Sequence, residues 1–275
     1  MDNFSQKKLV KIQETEIEIL LKIDEICRRH NIQYSLYAGT MLGAIRHKGF
    51  IPWDDDIDIA MLRSDYYRFI EIWEMEKPVG YILQNKEKDP KFTQSFTKIR
   101  KDHTTFLQYE SERGIYHTGI FVDIFPMDRI PDNKIQKFLF FWHCYKYQLY
   151  TREFIPPKSN IIVKLIAKLH LSTSKNKIKQ RREKLIKVIT KYNFNKSYKL
   201  VEISTVPTMK HALPADLFDS FIDVEFNGFT FQSVKEYHTW LSSLYGDYMH
   251  LPPESERTWT HHPIILDFEH NYEEL

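Results

Sequence analysis

Glycine is scarce, with 8 in 275 residues. That argues against a phosphate cradle built from a glycine-rich loop and leaves much of the packing to 19 Phe and 16 Tyr. Cysteine is scarcer still. Cys27 and Cys144 cannot build a disulfide framework and stand in no metal-ligand spacing, so a reduced compartment is expected. The first ten residues are polar and lack the apolar core of a signal peptide. There is no apolar run of 18 residues either. The best stretch, 138–142, is interrupted within a few residues by His143 and Lys146, which predicts no transmembrane helix. The expected location is cytoplasmic, with peripheral contact at the inner membrane face as an option. Internal repeats and low-complexity linkers are also missing.

Net charge is only +2, but the average hides an asymmetry. Residues 158–199 hold thirteen Lys or Arg against one acid, Glu183, a local charge of +12 that leaves −10 for the remainder. Such a block suits an anionic partner: a membrane surface, a polyphosphate-type polymer or nucleic acid. A solvated helical face is the plainer reading. No nucleic-acid-binding motif accompanies the block, so a nucleic-acid partner is not expected.

Hydrophobic spacing predicts a long amphipathic helix over 5–30, with Leu9, Ile12, Ile19, Ile23 and Ile26 on one face and Asn31 as its stop. A strand over 34–38 and a short helix over 41–47 follow. Residues 56–61 alternate with period two, as a half-buried strand does. A helix over 64–76, capped by Ser64, precedes strands at 81–83, 96–100 and 120–125. From Asp132 to about Tyr192 the pattern is helical. A strand at 229–231 and a helix over 233–245 close the chain. The expected fold is α+β: a mixed-sheet catalytic core over 1–131, a helical basic insertion over 132–200, and a segment over 201–275 packing back on the core.

The acidic run Asp54-Asp55-Asp56-Ile57-Asp58 is the sharpest chemical feature. Asp56 and Asp58 lie two apart on a strand, so their carboxylates share a face and repel unless a cation sits between them. Hard oxygen donors suit Mg²⁺, with Mn²⁺ an alternative. The same alternation turns Asp55 away toward solvent and leaves Asp54 in the entering loop. Asp123 is one acid in an apolar strand, costly without a partner, and its strand beside the first would bring a third metal ligand. The run also has a plainer reading as a solvated surface patch. An EF-hand loop is excluded because its sixth position, which needs glycine, holds Ile59. Upstream, Gly39-Thr40 opens a turn into a helix start that can hold an anion, and Arg46, His47 and Lys48 supply cationic groups for a diphosphate.

Taken together, the segment from Tyr37-Ala38-Gly39-Thr40-Met41-Leu42-Gly43 through Arg46-His47-Lys48-Gly49-Phe50-Ile51-Pro52-Trp53 to Asp58 closely resembles the signature of the LicD family of phosphotransferases. Gly119-Ile120-Phe121-Val122-Asp123-Ile124-Phe125-Pro126, Leu213-Pro214, Tyr245-Gly246-Asp247-Tyr248-Met249 and Leu251-Pro252-Pro253 leading to His261-His262 are similar to it as well. The resemblance runs from about Leu20 to His262; residues 132–195 carry no family motif. It implies a nucleotidyltransferase-like fold and transfer of phosphocholine from a CDP-linked donor such as CDP-choline. The acceptor would be a sugar of teichoic acid or lipopolysaccharide, possibly carried on lipid. Fukutin-type relatives use a CDP-alditol instead, with an Asp-x-Asp-x-Asp that falls here on Asp54, Asp56 and Asp58.

On this reading Asp56, Asp58 and Asp123 hold Mg²⁺, Arg46 and Lys48 assist, and Asp54 or Asp123 is the candidate base. Lys98 and Arg100 share a strand face within reach of phosphate, though a surface role fits them equally. Of His261 and His262, which point apart, at most one serves directly. Choline would need aromatic faces, for which Trp53, Tyr37 and Trp259 are available. The competing readings are ribitol phosphate or glycerol phosphate transfer, nucleotidyl transfer from a free NTP, and a non-catalytic module that binds anionic polymer. A stripe of Ile162, Leu165, Ile166 and Leu169 beside Lys164 and Lys168 suits an interfacial helix or a core-facing one.

Overall fold

The computed structural model describes residues 3–155, 161–194, 197–259 and 261–275, except the side chains of residues 3–5 and 162. In chain order the elements are α1 (Asn3–Arg29), β1 (Ser35–Leu36), α2 (Ala38–His47), β2 (Ile57–Leu62), α3 (Arg63–Glu76), β3 (Tyr81–Gln84), β4 (Thr97–Lys101), β5 (Thr105–Leu107) and β6 (Phe121–Arg129). Then come α4 (Lys134–Arg152), α5 (Ile161–Leu171), α6 (Lys175–Thr190), β7 (Lys199–Glu202), β8 (Leu213–Pro214), β9 (Phe221–Phe226), β10 (Phe229–Val234), α7 (Tyr237–Tyr245) and β11 (Ile265–Asp267). The class is α+β with a mixed sheet, as the sequence predicts.

The chain divides into two compact units. The first comprises 1–91, 96–126 and 216–275; the second comprises 92–95 and 127–215. In the first unit the strands run β1-β2-β6-β4-β3. Antiparallel pairing sets Leu36 against Ile59, and Lys98 against Asp123. Ile57 and Ile59 on β2 and Val122 and Ile124 on β6 are fully buried, so the apolar half of each alternation fixes the strands and presents their acids together. The amphipathic α1 buries Leu9, Ile12, Ile19, Ile23 and Ile26. It stops where Asn31 turns to φ +54, a conformation asparagine tolerates better than most residues.

Several local expectations are corrected. Only Ser35–Leu36 of the predicted 34–38 strand pairs, and α2 already begins at Ala38, where φ is +45. Ser64 does not cap α3; it lies inside the helix, whose N-cap is Leu62 without a side-chain bond. Residues 233–236, assigned to helix by their pattern, belong to β10 and the turn after it, and α7 begins only at Tyr237. Strands β5, β7, β8, β9 and β11 were not foreseen, and with them the pairings of β9 with β10 and of β11 with β5. The second pairing draws the C-terminal segment, and His261 with it, into the first unit.

In the second unit the last three residues of β6 pair with β7, and β7 with β8. Ile130, Phe140, Cys144, Tyr147, Ile189, Tyr192 and Val201 form its core. Asn133 caps α4 by accepting from the amides of Ile135 and Gln136 at 3.0 and 3.1 Å, a standard way to satisfy a helix start. Among the described residues no helix is long and apolar enough to cross a membrane.

Candidate active site

Two glycines of α2 let the acidic run close in. A Cβ on Gly43 would stand 2.4 Å from the Gly49 carbonyl oxygen, so the loop toward Trp53 passes directly over the helix backbone. A Cβ on Gly39 would stand 2.7 Å from an Asp54 carboxylate oxygen. The carboxyl group lying against the first turn of α2 is therefore the chain's own Asp54. Thr40 accepts from the Asp58 amide at 2.8 Å, which fixes the start of β2. Gln13 of α1 donates to the Asp54 carbonyl at 2.8 Å.

Around this scaffold the acids gather. Asp54, Asp56 and Asp58 are each raised, mainly by burial and by neighbouring carboxylates. Burial, then the charge of Asp56, pushes Asp54 up to about 9, and burial followed by Asp56 and Asp123 holds Asp58 well above the usual carboxylate range. Asp56 is raised as well, by burial first and against the pull of His261. Asp55 departs from expectation. It is 0% exposed and accepts from the His261 backbone amide at 3.0 Å and from its ring at 3.3 Å. The alternation argument fails for it because β2 begins only at Ile57, so Asp55 sits in a loop free to turn inward.

Asp123 lies under Lys98, its cross-strand neighbour. The ammonium meets both carboxylate oxygens at 2.6 and 2.9 Å and stands 3.2 Å over the Phe121 ring. Burial lowers Lys98 more than Asp123 restores it. Arg100 is buried and bonded at 2.6 Å to both the Gln84 side chain and the Gly119 carbonyl. It holds the sheet, and its burial rules out the surface role considered for it. His261 turns to the acids, with Asp56 at 3.8 Å; the exposed His262 stacks on Trp259 at 6.3 Å. Burial lowers the His261 ring, but its bond to Asp55 and the charges of Asp56 and Asp55 prevail and raise it. Tyr37 is core, between Phe125 and Trp240.

The donors fit a divalent cation. Among the described residues one set offers ligand atoms that all lie within 4.8 Å of one another: Asp55, Asp56 and His261. The expected trio of Asp56, Asp58 and Asp123 shares the same charged cluster without meeting that spacing. Clustered, buried carboxylates are unfavourable as bare charges, which is the condition a cation relieves.

Beside the acids opens a cavity of about 760 Å³. Arg46, Trp53, Tyr245, Tyr248, His250 and Arg257 are among its walls. Arg46 is braced by the Tyr248 carbonyl at 2.7 Å, and Arg257 lies 5.5 Å from the Trp53 ring centre. Tyr245 joins cavity and cluster: burial first, then the charges of Asp58, Asp54 and Asp56, raises its phenol. His47 is half-buried beside Arg46, and Lys48 is exposed, its carbonyl accepting from Asn227 as it closes α2.

Tyr245 was noted only as part of the family-like segment 245–249, with no role, and Arg257 was not singled out, because nothing local distinguishes it among many bases. Glu16 was missed despite a signal: positions 9, 12, 16, 19, 23 and 26 form one helical stripe, and Glu16 is its one charged member.

Residues 31–164 match the family described as LicD/FKTN/FKRP, nucleotidyltransferase domain. The chain is 33% identical over 260 residues to the lipopolysaccharide cholinephosphotransferase LicD of Haemophilus influenzae, covering 88% of this chain and 91% of that protein. Shorter stretches are similar to uncharacterized proteins of two Rickettsia species. One, from Rickettsia typhi, is 34% identical over 83 residues, 30% of this chain and 26% of that protein. The other, from Rickettsia prowazekii, is 35% identical over 66 residues, 24% of this chain and 25% of that protein. With the acidic cluster in place and a match that spans most of both chains, the chain belongs to the LicD family.

Proposed function

We propose that this phosphotransferase moves phosphocholine from CDP-choline to a sugar hydroxyl of a cell-surface glycan such as lipopolysaccharide or teichoic acid, releasing CMP. The observation that carries the reading is the junction of a carboxylate cluster with a cavity of about 760 Å³ whose walls hold two arginines and several aromatic rings. That volume lies in the usual range for small-molecule sites. Arg46 and Arg257 suit a diphosphate, and the faces of Trp53 and Tyr245 with the acids Asp247 and Glu256 suit a quaternary ammonium. The Haemophilus relative's activity on phosphocholine supports the cargo, and the family description supports a nucleotidyltransferase-like core.

Asp56 and Asp58, with Asp55 and Asp123 beside them, would hold Mg²⁺ or Mn²⁺. Such a cation neutralises diphosphate oxygens and the charge that develops on the leaving phosphate. The residues' own work is positional. Thr40 anchors the β2 start, Gly39 admits Asp54, and Lys98 holds Asp123. Asp54 or Asp123 remains the candidate base for the acceptor hydroxyl; Asp54, raised to about 9 among the bare carboxylates, would serve once the cation's charge lowers it. Incubation with CDP-choline, CDP-ribitol or CDP-glycerol and Mg²⁺ tests the reading: CMP is expected with CDP-choline above the other two. Pyrophosphate from CTP, with no CMP from any CDP donor, would favour nucleotidyl transfer instead.

Peripheral membrane contact is part of the same reading, since a lipid-borne acceptor would meet the enzyme at a surface. It is supported by α4 and α5, where Phe138, Leu165 and Leu169 are 71%, 63% and 75% exposed and Lys164 and Lys168 stand beside them in solvent. The stripe thus faces outward rather than into the core. Ile162, counted in that stripe, has a side chain outside the described residues, as do Lys158 and Lys196 of the basic block.

A further inference from the structure

Glu16 is a buried acid in the first unit that the catalytic reading does not use. It lies midway along α1, is 1% exposed, and has a carboxylate oxygen, Oε2, with no hydrogen-bond partner. Its neighbours on the helical stripe, Ile12, Ile19 and Ile23, are all fully buried hydrocarbons. Beyond them the strongest charges acting on it are of its own sign: Asp56, Asp55, Asp54 and Asp123, in that order. One turn earlier Gln13 reaches the Asp54 backbone, so this face of α1 lies directly against the acidic run. A further carboxylate forced into that cluster is unfavourable unless a positive charge joins it. The cations near the cluster are otherwise engaged: Lys98 with Asp123, and His261 with Asp55.

We infer that Glu16 is a further ligand, direct or through one water, of the divalent cation at the acidic run. It would supply from α1 an oxygen that neither β2 nor β6 provides. The inference rests on the cation-dependent reading above, but it assigns a residue from outside the family-like motifs. Oxygen-rich shells of this kind suit Mg²⁺ and Mn²⁺, and two carboxylate-bearing strands with a carboxylate-bearing helix would enclose the ion from different sides.

The test is Mn²⁺ titration of the full-length chain without nucleotide, followed by calorimetry and by Mn²⁺ electron paramagnetic resonance. Glu16→Gln keeps the size of the side chain and removes its charge. It is expected to weaken Mn²⁺ binding about tenfold or more, to raise the melting temperature of the metal-free protein, and to shrink the rise that Mn²⁺ gives. Glu16→Asp shortens the reach by one methylene and is expected to weaken binding as well, which decides the matter if the glutamine variant folds poorly. Wild-type Mn²⁺ affinity in either variant overturns the inference and leaves the catalytic reading standing. Absence of Mn²⁺ binding in the wild-type protein overturns both.

Discussion

At the scale of single residues the site is defined by what each neighbour permits. Gly39 is the clearest case, because any side chain there must displace Asp54. Gly39→Ala is expected to lose most CMP release while lowering the melting temperature only slightly; activity near wild type would mean Asp54 has no fixed role. Away from the site, His117 carries a pH dependence. Its Nδ1 accepts from the Gly119 amide at 3.2 Å and its Nε2 meets the Asn271 side chain at 2.9 Å. Burial lowers its pKa, outweighing the bond to Asn271 and the charge of Asp102. The unfolded chain therefore takes up this proton first, at about pH 6.5. The stability His117 contributes is complete above that value, declines as pH falls toward the folded-state pKa, and declines no further below it. Melting curves between pH 7.5 and 5 should show this slope in the wild type and a flatter one in His117→Gln.

At the scale of elements, β4 and β6 form a charged seam inside an apolar sheet. Lys98 and Asp123 each expose only 9% of their side chains. Removing one partner strands the other, so Lys98→Met is expected to cost about 3–5 kcal/mol, with much of it recovered when Asp123→Leu is added. Chemical denaturation of the two variants measures this. The outer elements are separable from that chemistry. Replacing Lys164, Lys168 and Lys175 with Glu should abolish cosedimentation with anionic liposomes and leave CMP release to a soluble acceptor unchanged; undiminished cosedimentation would refute membrane contact by α5. Elements with clean periodicity were legible in the sequence: α1, β2, β6 and the helices after Asp132. The pairing β11–β5 was not, because Thr105–Leu107 and Ile265–Asp267 carry no period of their own and exist only through each other; the β9–β10 hairpin was missed although Asn227-Gly228 between six-residue strands signals its turn.

At the scale of the whole molecule, sequence distance sets what could be read. The acids of 54–58 and Asp123 announce themselves by their chemistry, and the structure brings them into one cluster. His261, a candidate only through the resemblance, joins them across 206 residues from Asp55, a contact that no local pattern encodes. Asp55 was misjudged for the opposite reason: a strand period was extended two residues beyond where the strand begins. Glu16 shows a polar residue in an apolar stripe acting as a pointer to a site rather than as an irregularity. Charge follows the same broad division, with the basic block over 158–199 and the acids concentrated elsewhere.

The most direct test is phosphorus-31 NMR of the full-length protein with CDP-choline, Mg²⁺ and a glycan acceptor. The account predicts loss of the diphosphate signals, equal gain of CMP and a phosphodiester on the sugar. It predicts none of these with Asp56→Asn or Asp58→Asn, each folded as judged by circular dichroism. Turnover at the wild-type rate in either variant, or an unchanged CDP-choline spectrum with the wild-type protein, would contradict it.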